Sequence, residues 1–282
     1  MINRKKIGIT FAAAFSAAAL LLVGSQLRNS QLFMPSEYKL IKKIVNKLAL
    51  KNELGDREIG FHVTTGYVAS YYAKDLGLCK RKDDDTCAYY RFLNPFKKYP
   101  NPQENEIIRL SYLSAPGSAM ASLNIGNVVI TQSFFRTMEY KEGRMACTIA
   151  HELAHILNLD TFNNSLRLNE AAKDLDDEER KELSALFRRE SEINADLSAQ
   201  KMVLKAGYKT NTCIEDMEYA MRIKAVPKAS KFDTHPTYPE RVSALQKELK
   251  TQFYEIPKEE PESTKLRWKY DRDLNLLKFI PY

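Results

Sequence analysis

Residues 149–157 read Ile149-Ala150-His151-Glu152-Leu153-Ala154-His155-Ile156-Leu157. His151 and His155 are four apart, so a helix sets both imidazoles on one face. One Zn²⁺ can then take a ring nitrogen from each. Glu152, beside the first, can reach a water on that ion without binding the metal itself. The neighbours are uniformly apolar, so the helix is expected to be buried. Two imidazoles and a carboxylate in such a place are costly unless something satisfies them, and a metal does. The alternative is a helix with two solvated or hydrogen-bonded histidines. The apolar flanks argue against solvation.

A catalytic zinc needs a third protein ligand and an open fourth position. The chain has four His, and the remaining two are His62 and His235. Six residues beyond His155 stands Thr161, so a third His at that spacing is not available. A carboxylate on a later helix is expected instead. Glu192 and Asp196, within R-E-S-E-I-N-A-D-L-S-A-Q (189–200), again share a helical face. Glu192 is the expected ligand, and Asp196 is expected to accept the ring N–H of a ligand His. The competing reading is an exposed acidic face beside Arg188 and Glu190. The small residues Ala195, Ser198 and Ala199 favour close helix packing.

Upstream, apolar spacing predicts a helix from Pro35-Ser36 to about Leu50. Ile59–Thr65, Ile107–Leu113, Met120–Leu123 and Val128–Thr131 read as short strands, the last two joined by a turn at 124–127. The stretch 66–78 fits a helix face better than a strand, and 91–104 reads as a surface loop. Helical spacing begins near Lys141. It gives helices near 142–159, 169–206 (one or a pair, stopped by Gly207), 211–223 and 238–250. Asn158, Asp160, Asn163 and Asn164 mark the end of the first. Residues 255–263 read as a Pro/Glu linker, and 266–270 with 276–280 as a C-terminal hairpin or two packing strands. The fold class is α+β, mostly helical, with a small sheet ahead of the helix that carries His151.

The 282 residues carry 44% apolar and 28% charged side chains, ordinary globular usage. With a mean hydropathy of −0.43, this excludes a polytopic membrane protein and a low-complexity chain. The net charge of +7 hints at nucleic acid. However, Lys and Arg are spread along the chain among acids, and no nucleic-acid motif accompanies them. Three of the cations, Arg4, Lys5 and Lys6, precede an uncharged run from Ile7 to Val23 that ends in Gly24-Ser25. These are the parts of a secretory signal, either cleaved or kept as a membrane anchor. The expected organisation is therefore 1–25 signal peptide or anchor, 35–250 metal-binding domain, and 251–282 linker with a hairpin-like appendage. Everything past Ser25 is expected outside the cytoplasm. In an oxidising compartment Cys79 and Cys87 are expected to bridge across 80–86, unless the two thiols are unrelated.

His-Glu-Leu-Ala-His (151–155), Glu-Ile-Asn-Ala-Asp (192–196), Ala206-Gly207-Tyr208, and Thr234-His235-Pro236 with Arg241 together resemble the HtpX/BepA/CAAX-prenyl-endopeptidase-like zinc metallopeptidases. The resemblance spans roughly 107–249. It implies a zincin-like fold with one Zn²⁺ per chain on His151, His155 and Glu192. It further implies that Glu152 is the base, that Asp196 orients a ligand, and that His235 faces the metal cleft. Arg241, or His235, is then a possible oxyanion donor. One departure from the family is that its Asn-Ala-x-Ala stretch and Pro-Gly-Gly turn are replaced by Ser118-Ala119-Met120-Ala121 and Ser122–Asn127. A polypeptide substrate is expected to add as a strand beside Ala119, Met120 and Ala121. Two functions follow from the resemblance. The first is an envelope endopeptidase acting on extended or misfolded chains in the periplasm. The second is a zinc-bound assembly factor or chaperone held latent by His235 on the fourth zinc position.

Overall fold

In α1 (Ser36–Ala49), Tyr38, Ile41, Ile44, Val45 and Leu48 share one face, and all five are fully buried. This is the stripe that apolar spacing at three and four demands. The structure, a computed structural model, describes residues 34–81, 85–122, 126–223, 230–251 and 266–280. The expected signal segment and the Pro/Glu linker lie outside them, as do residues 124 and 125 of the expected turn. Among the described residues no helix is long and apolar enough to cross a membrane.

α1 covers a five-stranded sheet ordered β2-β3-β1-β5-β4. The strands are β1 (Ile59–Thr64), β2 (Ala119–Ser122), β3 (Asn127–Thr131), β4 (Arg267–Asp271) and β5 (Leu276–Ile280). β1 runs parallel to β3 and antiparallel to β5, and β2 pairs antiparallel with β3 as an edge strand. β2 is seated by Gly117, where any Cβ would collide with the Phe134 backbone at 1.9 Å.

Besides two four-residue turns of helix at Asp85–Ala88 and Tyr89–Phe92, the remaining helices are α2 (Val68–Asp75), α3 (Pro102–Ser114), α4 (Gln132–Thr137), α5 (Glu142–Leu157), α6 (Asp160–Ala171), α7 (Asp177–Lys205), α8 (Thr212–Ile223) and α9 (Tyr238–Thr251). α7 starts in a capping box between Asp176 and Glu179 and stops at Gly207, whose φ of +77° suits a residue without a Cβ. α5 lies along α7, with Ala150 and Ala154 on one helix and Ala195 and Ala199 on the other all buried. The small side chains let the two backbones approach closely.

Three expectations need correction. Ile107–Leu113 is not a strand but the body of α3. Asn101 caps that helix by accepting from the Gln103 N–H, and Pro102 opens it. The paired Ile107-Ile108 mimicked strand composition, while the Asn-Pro start was absorbed into the expected loop. Asn163 and Asn164 do not end a helix; they lie inside α6, bonded to Asn158 O and to Ser191. The turn is made by Leu159 in the left-handed region, at φ 55°.

The C-terminal hairpin is not an appendage, because β5 completes the sheet against β1. Its turn is locked inward. Tyr38 donates to Asn275 O at 2.7 Å and accepts from the Val63 N–H, while Asn275 donates to Val63 O. Burial pushes the Tyr38 phenol far above its ordinary pKa, so it stays a neutral donor. Trp268 adds a bond to Asn46 and packs on Phe279. Cys79 and Cys87 are bridged, and a second disulfide joins Cys147 on α5 to Cys213 on α8.

Candidate active site

α5 and α7 bring His151, His155 and Glu192 together, with one ligating atom from each within 4.8 Å of the others. His151 Nε2 and His155 Nε2 are 3.1 Å apart. Glu192 lies 3.3 Å from the first and 3.5 Å from the second. The outer nitrogens are both committed. His151 Nδ1 meets Asp196 at 2.9 Å and His155 Nδ1 meets Asp160 at 2.6 Å. If each Nδ1–H donates to its carboxylate, both Nε2 lone pairs point into the same space. That arrangement is repulsive unless a cation stands between them. Glu192 Oε2 is buried there with no hydrogen-bond partner among the described residues. Two imidazole nitrogens and an orphaned carboxylate oxygen fit a divalent metal.

The protonation pattern agrees with this fit. Burial alone would depress both imidazoles, but the carboxylates overcome it. Asp196 and Glu192 bring His151 to about 8, and Asp160 and Glu192 bring His155 to about 10. Burial works against ionising Glu192 too, yet the two imidazoles hold its carboxyl far below the usual range. Asp196 is held low chiefly by Arg241, against its burial. Arg241 grips it with Nε at 2.6 Å and Nη2 at 2.5 Å. The guanidinium is therefore committed to Asp196 and does not serve as the oxyanion donor the sequence suggested.

Glu152 accepts the Ala121 N–H at 2.6 Å through Oε2. Thr131 N donates to Ser118 O, and β2 pairs with β3 in register from that point. Ala119 and Ala121 therefore turn their backbone polar groups away from β3 and toward the cleft. The Met120 side chain is exposed. His235 Nε2 stands 3.3 Å from Glu192 Oε1 on a side chain that is 66% exposed. Its loop is tied down by Arg189, which donates to Lys231 O and Asp233 O. The Cys79–Cys87 bridge sits with a separate small core around Ala69, Ala73, Leu93 and Ile107.

Two arms of one cleft meet at the ligands. One, of about 350 Å³, runs between α6 and α7 past Thr161, Ser165, Ser184 and Arg188. The other, of about 280 Å³, is walled by Phe134, Met138, Met217 and Ala220. Asp160 is the functional residue that sequence reading missed. It was taken as a helix-end marker, five residues after the histidine it supports.

Residues 179–249, from α7 through α9, match the model of Peptidase family M48. Over that segment, about a quarter of the chain, the protein is similar to the metallopeptidases of that family. That segment holds Glu192, Asp196, His235 and Arg241, and the fold adds the two histidines of α5 to them. No curated protein and no solved structure matches the chain. Peptidases of that family are metal-dependent, and the His151–His155–Glu192 cluster could hold a metal ion here.

Proposed function

We propose that this chain is an M48-type zinc endopeptidase that cleaves extended or misfolded polypeptides in the cell envelope, as quality control. The observation that carries this reading is the buried His151–His155–Glu192 cluster opening onto a cleft bordered by the unpaired edge of β2. A donor set of two imidazoles and one carboxylate suits zinc. An edge strand binds any extended backbone with little regard to sequence, which suits unfolded chains. Two disulfides and a basic, apolar N-terminal segment support an exported location.

Zinc bound to these ligands supplies Lewis acidity, polarising the scissile carbonyl and making water nucleophilic near neutral pH. The chain's own groups do the rest. The carbonyls of Ala119 and Ala121 and the Ala119 N–H pair with the substrate backbone. Glu152, steadied by the Ala121 N–H, takes a proton from the attacking water and returns it to the leaving amine. Asp160 and Asp196 keep each imidazole in the tautomer whose Nε2 is a free donor pair. Arg241 keeps Asp196 charged.

Incubating the wild-type protein and Glu152→Gln with unfolded casein tests the reading. The wild type is expected to cleave. Glu152→Gln should retain one zinc per chain and lose cleavage by at least about 10²-fold. Equal cleavage by the two proteins would overturn the mechanism. The position of His235 beside Glu192 favours a second reading, a latent zinc-bound assembly factor. On that reading the wild type is inert and His235→Ala gains turnover.

A further inference from the structure

We propose that Arg188 makes the α6–α7 arm of the cleft selective for a carboxylate about two residues from the scissile bond. Arg188 precedes Glu192 by four residues, so it lies on the same face of α7, one turn from the metal ligands. One turn is about 5.4 Å, and an extended peptide advances about 3.3 Å per residue. Away from the ligands and from Glu152, Asp160 and His235 beside them, the arm is otherwise neutral in its side chains, with Thr161, Ser165 and Leu168 on α6 and Ser184 on α7.

The charges around Arg188 are already matched. Arg167 pairs with Glu190 at 2.8 Å. Arg189 is spent on backbone carbonyls of the 230–235 loop. Asp160 is held by His155, and Glu152 by the Ala121 N–H. Arg188 lines the cleft with no partner among the described residues. A guanidinium offers a planar fork that suits a carboxylate. The opposite arm is walled by Phe134, Met138, Met217 and Ala220 together with the Thr148–Asp216 pair, and Arg241 is committed to Asp196, so that arm offers no uncommitted cation among the described residues. The acidic preference therefore falls on one side of the bond only. The carboxylate can be an acidic side chain or the C-terminus of a short peptide.

The inference deepens the peptidase reading and rests on it for cleavage, but not for binding. The zinc-loaded full chain carrying Glu152→Gln is titrated by fluorescence anisotropy with labelled peptides. One set is amidated, with a single Glu, Gln or Lys walked through the sequence. A second set is all-Gln with a free C-terminus. Cleavage sites of the wild type are mapped in parallel by mass spectrometry.

The expected result is about tenfold tighter binding when a carboxylate from either source occupies one position. Arg188→Gln should abolish that preference, and Arg188→Glu should reverse it in favour of Lys. An unchanged preference in Arg188→Glu, or none in the parent, overturns the proposal. Selective binding without wild-type cleavage would overturn the peptidase reading alone. Cleavage without a carboxylate preference would overturn this inference alone.

Discussion

Asp160 Oδ2 lies 2.6 Å from His155 Nδ1, placed there by the left-handed turn at Leu159. The carboxylate sits at the first position of α6 and reaches back to the helix before it. A non-glycine residue in that region costs of order 1–3 kcal/mol and persists where its surroundings demand it. Here the demand is the orientation of a metal ligand.

Asp160→Asn should therefore weaken metal affinity by about 10- to 100-fold, the usual consequence of losing such a support. The fold should survive, because Asp160 contributes little to the core. Competition with a zinc chelator measures the affinity, and circular dichroism checks the fold. Unchanged affinity would show that His155 is oriented by α5 alone.

Metal binding should strengthen as pH rises. Two Nε2 atoms 3.1 Å apart can hold one proton between them, and the metal must displace it. Both imidazoles titrate above their ordinary value of 6.5, His151 at about 8. Their contribution to metal-free stability is complete below about 6.5 and is lost as pH rises, through about 8 for His151 and about 10 for His155. Metal affinity should accordingly climb at least about tenfold per pH unit between pH 6.5 and 8, at least one proton being displaced. Melting curves with and without zinc at pH 6.5 and 8 should show the larger metal-induced gain at pH 8. A larger gain at pH 6.5 would reverse the assignment of protons.

Tyr38→Phe removes the hydroxyl that joins α1, β1 and the hairpin turn. It leaves the Val63 N–H and a face of Asn275 unsatisfied in the core. A cost of about 1–3 kcal/mol is expected in urea denaturation. Zinc stoichiometry should not change. A neutral substitution would mean that a water replaces the hydroxyl.

The Cys147–Cys213 bridge closes a segment of sequence separation 66 and clamps α8 to the metal helix. Replacing both by Ala should lower stability by about 2–4 kcal/mol. Thiol titration of the unfolded, non-reduced protein should find no free cysteine. Two reactive thiols at 147 and 213 would remove this clamp from the account.

The sequence by itself determined what depends on local spacing. His151 and His155 share a helical face because they are four apart, as do Glu192 and Asp196, and the apolar stripe of α1 follows the same rule. It also determined the edge strand near Ala119–Ala121, through short apolar runs and turn residues.

Tertiary structure decided what depends on partners distant in the chain. Whether residues 266–280 form an appendage or the fourth and fifth strands depends on Tyr38 and Val63, more than 200 positions away. The pairing of Cys147 with Cys213 and the tying of Arg241 to Asp196 are likewise contacts between separate helices. Asp160 is near His155 in sequence, yet only the rare backbone conformation of Leu159 aims it. Side-chain periodicity carries no record of a single left-handed residue, of which cysteines meet, or of which strand completes a sheet. Those are settled when the packed core leaves each buried polar group one place to bond.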